Sequence, residues 1–572
     1  MGSNRATAAR LGSVLAALVC TLAFSAGPAS AAPKPLPRPV PVAQDALARA
    51  LANGQLTPAA YTLERARSLF HLGAVRREFG DVARPDPHAA TLILRDVALR
   101  VDQLPPAERA RAQRLLARPS DGPNDPEHWG WFVPEAPASP ICDANVCYHW
   151  VDFADDPVDA PPAADADTNN VPDWVEDVVQ PKFANVWQEE IVNLGNPAPL
   201  SDNTSPNDGG ENEGDPNRHK LDVYLVDVGS VGLFGFCTSD DPRTFAGSTY
   251  PYFDISAYCV VDNDFTNFGS AWTPQQFLQV TAAHEFRHAS QFAEDAWEDW
   301  WLLEGEAMWM EGQVYPAVTD RIRYLDRSPI RRPDRSLDHG TNSYEYGAWI
   351  FFRFLAEQFD EAIVRELWAY ADGSGDNDGP GPDGIGPDQY SMLAAASAIG
   401  DRGAAFASSF ATFAVWNRSP ARYYDEGALY PSPPSATQWG LGPGGTTGWR
   451  STQLRHLATA YYTFKPSSTL HSTARLRVAV DGPTLATRPS AKLIIVSTSG
   501  YVVRNLSLDS SGNGVLSVSF KPGVVKRVDL VLTNASRRYN LNTCWTGTTT
   551  YSCGGAVAKD ELRAYRFKAA VR

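Results

Sequence analysis

The amino-acid sequence predicts an α+β protein in three folded parts: a helical N-terminal segment, a mixed central domain and a C-terminal β-sandwich. From Gln44 to about Ser120 the chain is rich in Ala, Leu and Arg at helical spacing. Helix-like and strand-like runs alternate in the centre, and from about Trp449 short strands are separated by turns containing Gly and Pro. A chain of 572 residues is also too long for one core. We expect the parts at residues 32–125, 126–445 and 446–572.

The N-terminal segment and the C-terminal part differ in the period of their apolar residues. A period near 3.6 predicts helices over Ala46–Leu51, Tyr61–Phe70 and Ala107–Ala117. Alternation predicts six strands of a β-sandwich: Ala474–Val480, Ala491–Thr498, Tyr501–Leu506, Gly514–Phe520, Val524–Leu532 and Ala564–Ala569.

The first residues have the pattern of a secretory signal peptide. Arg5 and Arg10 are basic, Leu11–Phe24 is apolar, and Ala29–Ala31 offers small residues for cleavage. We therefore predict a signal peptide over residues 1–31 and a secreted, extracellular protein. No later stretch is long and apolar enough to predict a membrane span.

The cysteines and the net charge agree with an extracellular protein. Loss of Cys20 with the signal peptide leaves an even number of cysteines, which favours disulfides. Proximity along the chain suggests the pairs Cys142–Cys147, Cys237–Cys259 and Cys544–Cys553, although the number of cysteines permits other pairings. The net charge of -16 argues against nucleic acid and anionic membranes as partners. We expect a monomer.

The strongest motif in the chain is His284-Glu285-Phe286-Arg287-His288, which has the form HExxH. On a helix, residues at i and i+4 share a face, so both imidazoles can reach one metal ion. We predict this helix from Thr273, a good N-cap, to Phe292. A catalytic zinc needs three protein ligands and one open position, and the third ligand is expected in Trp301–Ala307, which reads WLLEGEA.

These two motifs resemble those of the gluzincins, zinc peptidases whose third ligand is a Glu on a second helix. In the aminopeptidase branch this Glu lies in WLxEGxA, and the match falls on Glu304. The interval from His288 to Glu304 is shorter than in aminopeptidases, as in compact members of the group. Glu306 is the alternative, but it would point about 200° away around the same helix.

The resemblance implies a zincin-like catalytic domain with its active-site helix under a mixed sheet. It implies that Glu285 is the general base and that a Tyr on a later helix donates its hydroxyl to the oxyanion. The gluzincin YExG motif matches at Tyr344, and Tyr346 is the alternative. The strand before the active-site helix, Ala257–Asp262, is expected at a sheet edge, where it could pair with an extended peptide.

The function implied is a secreted zinc-dependent endopeptidase acting on protein or peptide substrates. Nothing in the sequence resembles the acidic motif with which aminopeptidases anchor the substrate amine. Two other classes stay open: a non-catalytic, calcium-stabilised adhesin or wall-binding protein, and a metal-dependent hydrolase of a non-peptide substrate. The intact Glu285 argues against the first, because a protein without catalysis does not need the base.

A second metal site is predicted in the loop Asp165–Glu176, which has the oxygen spacing of an EF-hand calcium loop. Asn170 replaces the usual Gly at position 6 and tolerates the left-handed turn. The expected calcium ligands are Asp165, Asp167, Asn169, the Val171 carbonyl, Asp173 and Glu176.

The helical segment over residues 32–125 has two interpretations. Secreted proteases often carry a removable helical pro-segment in this position, and the alternative is a permanent helical domain. Residues 32–141 contain no cysteine, so this segment cannot hold a catalytic metal through a thiolate.

Overall fold

The computed structural model describes residues 45–86, 89–121, 129–200, 220–240, 254–340, 343–372, 389–434, 436–539 and 558–572. The predicted signal peptide and the pair Cys544–Cys553 lie outside these residues. Helices and mixed sheets are both present, so the predicted α+β class is confirmed. No helix among the described residues is long and apolar enough to cross a bilayer.

Five helices form the N-terminal segment: α1 (Ala46–Ala52), α2 (Pro58–Phe70), α3 (Leu72–Phe79), α4 (Ala90–Ala98) and α5 (Pro106–Leu116). The three predicted helices correspond to α1, α2 and α5. The sequence analysis missed α4 because every one of its residues is buried, so it lacks the polar face that reveals a helix. Side chains of α2, α4 and α5 belong to the same hydrophobic core as the central sheet.

The central sheet has five strands: β1 (Ile141–Cys142), β2 (Val146–His149), β3 (Leu221–Val226), β4 (Gly235–Thr238) and β5 (Tyr258–Asp262). Their order is β1-β2-β3-β5-β4. Strands β2, β3 and β5 are parallel, and β1 and β4 are antiparallel to their neighbours, so the sheet is mixed as predicted. Between β2 and β3 runs α6 (Gln180–Trp187), which continues as π-helix at both ends, over Trp174–Val179 and Gln188–Asn193.

The prediction that the strand Ala257–Asp262 lies at a sheet edge is wrong. Strand β5 lies between β3 and β4, and β4 is at the edge among the described strands. The prediction missed β4 because its four residues are all buried and show no alternation. Cys237 of β4 stands opposite Cys259 of β5 and is joined to it by a disulfide. The predicted pair Cys142–Cys147 is likewise confirmed, across β1 and β2.

Among the described residues, the α-helices that complete the central domain are α7 (Pro274–Asp295), α8 (Trp300–Val314), α9 (Tyr344–Gly347), α10 (Trp349–Gln358), α11 (Ala362–Ala371), α12 (Met392–Asp401), α13 (Phe406–Arg418) and α14 (Pro420–Tyr423). The predicted start of α7 is confirmed. Thr273 caps it, and the Gln276 side chain bonds back to the Thr273 backbone, which together satisfy two N–H groups. Helix α7 packs on β4, β5 and α8 with almost every residue buried.

The C-terminal part is a sandwich of two sheets with a shared core. One sheet has the order β11-β10-β13-β8-β6 and the other β12-β9-β14-β7. The six predicted strands are present, and the sequence analysis missed the first three, of which β6 begins ahead of the predicted boundary at residue 446. The strands are β6 (Thr437–Leu441), β7 (Arg450–Leu454), β8 (Ala458–Pro466), β9 (Arg475–Asp481), β10 (Pro489–Ser497), β11 (Gly500–Asn505), β12 (Asn513–Ser519), β13 (Val525–Asn534) and β14 (Arg563–Val571).

A buried histidine joins the sandwich to the central domain. His456, between β7 and β8, bonds through Nε2 to Asp338 of the central domain at 2.9 Å and through Nδ1 to Glu561 at 2.6 Å. Burial alone would lower the pKa of His456, but the two carboxylates raise it to about 9. The ring is therefore an imidazolium at neutral pH, with both nitrogens donating.

We expect this contact to stabilise the folded chain at acidic and neutral pH and to weaken in alkaline solution. The folded pKa lies above the ordinary value of 6.5, so the stabilisation is complete below that value and is lost as the pH rises through about 9. The difference in unfolding free energy between wild type and His456→Gln should fall by about 3 kcal/mol over this interval. Urea denaturation of both proteins at each pH measures it, and a constant difference would refute the assignment.

Candidate metal centre

Helices α7 and α8 cross so that the predicted third ligand faces both imidazoles. His284 and His288 are one turn apart on the same face of α7, with their Nε2 atoms 3.2 Å apart. The Oε2 atom of Glu304 is 3.1 Å from Nε2 of His284 and 3.5 Å from Nε2 of His288. All three side chains are buried, and one ligand atom from each lies within 4.8 Å of the others. The structure thus brings together the three residues that were predicted as ligands.

The outer nitrogen of each imidazole is held by a hydrogen bond. Nδ1 of His284 is 3.0 Å from Glu311 Oε1, and Nδ1 of His288 is 2.7 Å from Gln291 Oε1. An Nδ1–H that donates to an oxygen fixes the ring orientation, and a metal ion would replace the proton that Nε2 shares with Glu304 in this structure. Both rings therefore present the atom that a metal ion requires.

The donor set fits a divalent cation. Two imidazole nitrogens and a carboxylate converge, which is a zinc-type combination with one position left over. The second oxygen of Glu304, Oε1, is buried and has no hydrogen-bond partner among the described residues. Burial would raise the pKa of Glu304, but the hydrogen bonds from His284 and His288 hold it at about 2. The carboxylate is therefore ionised, as a metal ligand must be.

Glu285 follows the first histidine and is also buried. Burial raises the pKa of Glu285 against the lowering effect of His284, His288 and a hydrogen bond from Thr91. The Thr91 hydroxyl, on α4 of the N-terminal segment, donates to Glu285 Oε2 at 2.7 Å. The same hydroxyl oxygen accepts the backbone N–H of Cys237 on the edge strand β4 at 3.0 Å. The Thr91 side chain, in the N-terminal segment, is thus hydrogen-bonded both to the predicted general base and to the edge strand β4.

Glu306, the alternative third ligand, contacts Arg287 and Gln291 instead of the imidazoles. Its two oxygens accept from Arg287 Nε at 2.9 and 2.7 Å, and one of them also accepts from Gln291 at 2.6 Å. Both Arg287 and Glu306 are inaccessible to solvent. The two glutamates of the WLLEGEA motif therefore have separate roles, one facing the imidazoles and one neutralising a buried guanidinium.

The two candidate oxyanion donors have different surroundings. The Tyr344 hydroxyl, matched by the motif, donates to backbone carbonyls of Arg332 and Arg335 at 3.3 and 3.5 Å. Tyr346 is also buried, and burial followed by the charge of Glu304 raises its pKa well above the ordinary value. For Tyr344, the charges that affect the pKa most after burial are instead those of Asp334 and Arg335. The structure places Tyr346, not Tyr344, in the electrostatic field of the candidate ligand Glu304.

In the predicted calcium loop, Asn170 has the expected backbone conformation, but the carboxylates do not converge on one point. Asn170 adopts the left-handed conformation, with φ +70°. The Asp165 carboxylate accepts backbone N–H groups of Asn169 and Asn170, and Asp173 accepts that of Ala166. Within the part of the chain that the structure describes, His284, His288 and Glu304 alone form a group of at least three ligands close enough for a metal ion.

Sequence analysis missed three residues that hold this centre. Glu311 lies seven positions after Glu304, on the same face of α8 two turns on, so helical spacing could have suggested it. Gln291 is three positions after His288, again one turn away. Thr91 is distant in the sequence and on a helix without a polar face, so no local signal indicates it.

Comparison with known proteins leaves the family of this chain open. No protein-family model and no curated protein matches it. Among solved structures, the lysozyme inhibitor PliG of Aeromonas hydrophila aligns at a TM-score of 0.14 and 7% identity, over 24% of this chain and 100% of PliG. The GH115 4-O-methyl-α-glucuronidase BtGH115A aligns at 0.12 and 8%, over 52% of this chain and 38% of that one. Scores this low carry no argument about fold or function.

Proposed function

We propose that this protein is a secreted zinc-dependent endopeptidase. The observation that carries the proposal is the convergence of His284, His288 and Glu304, with Glu285 beside them on the same helix. The gluzincin-like motifs, the confirmed disulfides and the predicted signal peptide support it. A zinc ion bound there would supply Lewis-acid chemistry, polarising a carbonyl and making water more acidic.

The residues of the chain would carry the proton transfers and the positioning. Glu285, with its raised pKa, would accept a proton from the attacking water and later deliver it to the leaving amine. Tyr346 would donate its hydroxyl to the oxyanion, because the charge of Glu304 contributes to its raised pKa, whereas the hydroxyl of Tyr344 is engaged with main-chain carbonyls. Edge strand β4 would pair with the extended substrate.

In this proposal the N-terminal segment is a pro-segment that must move before a substrate can reach Glu285 and strand β4. Thr91 bonds to both Glu285 and the Cys237 N–H, which are the groups that a peptide and its attacking water would need. Arg95 of the same helix bonds to the carbonyls of Ala296 and Glu298, between α7 and α8. The segment is thus bonded both to the predicted base and to the connection between α7 and α8.

Metal analysis of the full chain tests the proposal directly. We expect about one zinc ion per wild-type chain and almost none in His284→Ala, because loss of one of three ligands removes most of the affinity. His471→Ala is the matched control, since His471 is exposed and lies in the sandwich. Equal zinc content in wild type and His284→Ala would show that the ligands are wrongly assigned.

We also propose that the loop Asp165–Glu176 binds calcium, which its spacing and the left-handed Asn170 support. Calcium at a hundred times its Kd should add about 2.7 kcal/mol to the free energy of unfolding. Asp167→Ala should remove this gain, whereas Asp155→Asn, outside the loop, should keep it. Thermal unfolding with calcium or with magnesium measures the effect, and a wild-type chain that does not respond to calcium would exclude the site.

A further inference from the structure

A cavity of about 560 Å³ lies between the N-terminal segment and the central domain, next to the candidate metal centre. Trp300, on its wall, is one helical turn before Glu304 on α8. Glu345, also on the wall, is buried and lies in the field of Glu304. Ala89, on the opposite side, is two residues from Thr91, which contacts Glu285. A peptide cleaved at the centre would therefore have a neighbouring residue within reach of this cavity.

The cavity is basic in a protein that is acidic as a whole. Its wall includes five guanidinium groups, those of Arg65, Arg84, Arg327, Arg332 and Arg335, whereas the chain carries a net charge of -16. Arg84 donates to the Val231 carbonyl and Arg335 lies over the Tyr344 ring. Neither of these two forms an ion pair within the described ranges. Both are thus available to an anionic ligand in the intact chain, and Arg335, in the central domain, stays available when the N-terminal segment moves.

The cavity wall also contains carboxyl groups, but these leave the positive excess in place. Asp326 is exposed and lies 3.6 Å from Arg331. Burial raises the pKa of Glu345 to about 8, so this group is mostly neutral near pH 7. Nearby, burial and the charge of Arg335 lower the pKa of His339 to about 4, which agrees with a positive potential at this end of the cavity.

One carboxylate of the N-terminal segment lies on the cavity wall. Asp86, in the connection between α3 and α4, accepts a hydrogen bond of 2.6 Å from the Ser343 hydroxyl. Arg327 donates to the oxygen of the same hydroxyl at 2.9 Å. Ser343 has a left-handed backbone, with φ +57°, a conformation that costs free energy in a non-glycine residue and is often found at binding sites. The central domain thus holds a carboxylate through Arg327 and Ser343.

We propose that this arginine-lined cavity binds a carboxylate group of a peptide substrate, and that Asp86 takes its place in the intact chain. The inference rests on the proposed peptidase function for its biological meaning, since a peptide at the metal centre would place a neighbouring residue here. The carboxylate can belong to an acidic side chain or to the C-terminus of the peptide, and both have the chemistry that guanidinium groups bind.

Peptide binding to the full chain tests this proposal without relying on turnover. The protein carries Asp86→Ala, which removes the carboxylate held by Ser343, and Glu285→Gln, which prevents cleavage. Three blocked alanine peptides are compared by calorimetry: one with a central Glu, one with a central Gln, and one with alanine only and a free C-terminal carboxylate. We expect at least one carboxylate peptide to bind about tenfold more tightly than the Gln peptide, as for a charge-assisted hydrogen bond.

Further variants connect the preference to the cavity. Adding Arg327→Gln and Arg335→Gln should reduce the carboxylate peptides to the affinity of the Gln peptide, whereas Arg566→Gln in the sandwich should not. Restoring Asp86 should weaken binding of the preferred peptide by competition. Preference for the Glu peptide assigns the site to an acidic side chain, and preference for the free C-terminus assigns it to a chain end. Equal affinity for all three peptides would overturn the proposal.

The outcome is independent of the metal and hydrolysis experiments. A carboxylate preference in a protein that neither holds zinc nor cleaves peptides would keep the cavity assignment and reject the peptidase. Hydrolysis without a carboxylate preference would keep the peptidase and reject the cavity assignment.

Discussion

Replacing Glu285 by Gln is expected to reduce peptide hydrolysis by about three orders of magnitude while the metal content stays unchanged. Gln has nearly the same shape as Glu but cannot accept a proton from water. Glu285 is not among the three side chains that converge as ligands, so its replacement should not remove the metal. A loss of turnover with retained zinc would separate the role of the base from that of the ligands.

Casein hydrolysis with and without a zinc chelator is the measurement, together with zinc analysis of both proteins. Because Thr91 occupies Glu285 in the intact chain, hydrolysis by wild type should rise when the N-terminal segment is cleaved off during incubation. Asp177→Asn, an exposed substitution on another helix, serves as the control and should hydrolyse casein like wild type. A Glu285→Gln protein that digests casein as well as wild type would contradict the assignment of the base. A processed, zinc-loaded wild type without activity would contradict the peptidase.

The substitution Arg287→Met is expected to destabilise the protein by about 3–5 kcal/mol. Arg287 lies between the two candidate metal ligands His284 and His288 in sequence, but its guanidinium pairs with Glu306 and Glu294. Without the guanidinium, the fully buried Glu306 would keep its hydrogen bonds from Gln291 and Trp368 but lose its countercharge. An uncompensated charge in the interior costs much more than the ion pair itself contributes.

Urea denaturation followed by tryptophan fluorescence measures this cost. The control is Arg331→Met, which removes an exposed pair with Asp326 and should change the free energy of unfolding by less than about 1 kcal/mol. The double variant Arg287→Met, Glu306→Gln should recover part of the loss, because the stranded charge is then absent. Equal effects of Arg287→Met and Arg331→Met would mean that the buried pair is not a stabilising element.

Local patterns in the sequence were sufficient for much of the candidate centre. The spacing of His284 and His288 places both rings on one helical face, and the cap at Thr273 defines where that helix begins. The motif around Glu304 selected a carboxylate that the structure brings to both imidazoles. Six strands of the sandwich followed from alternation and turn residues. In each case the pattern that predicts the feature lies within a short stretch of neighbouring residues.

The remaining features depend on contacts between distant segments. Strand β4 takes the edge position expected for β5, because sheet order is set by packing and pairing across the whole domain. The field of Glu304 acts on Tyr346 although the motif matched Tyr344, since the direction of α9 depends on its packing partners. The bonds from Thr91 to Glu285 and from Ser343 to Asp86 join residues far apart in the chain.

By itself, the sequence determined which side chains could bind a metal and on which helices they lie, because helical periodicity is a local property of the backbone. Only the tertiary structure decided that Glu311 and Gln291 orient the imidazoles, that Glu306 pairs with Arg287, and that Thr91 of the N-terminal segment contacts Glu285. These contacts depend on how helices and sheet pack together, and burial of apolar surface across the whole core determines that packing.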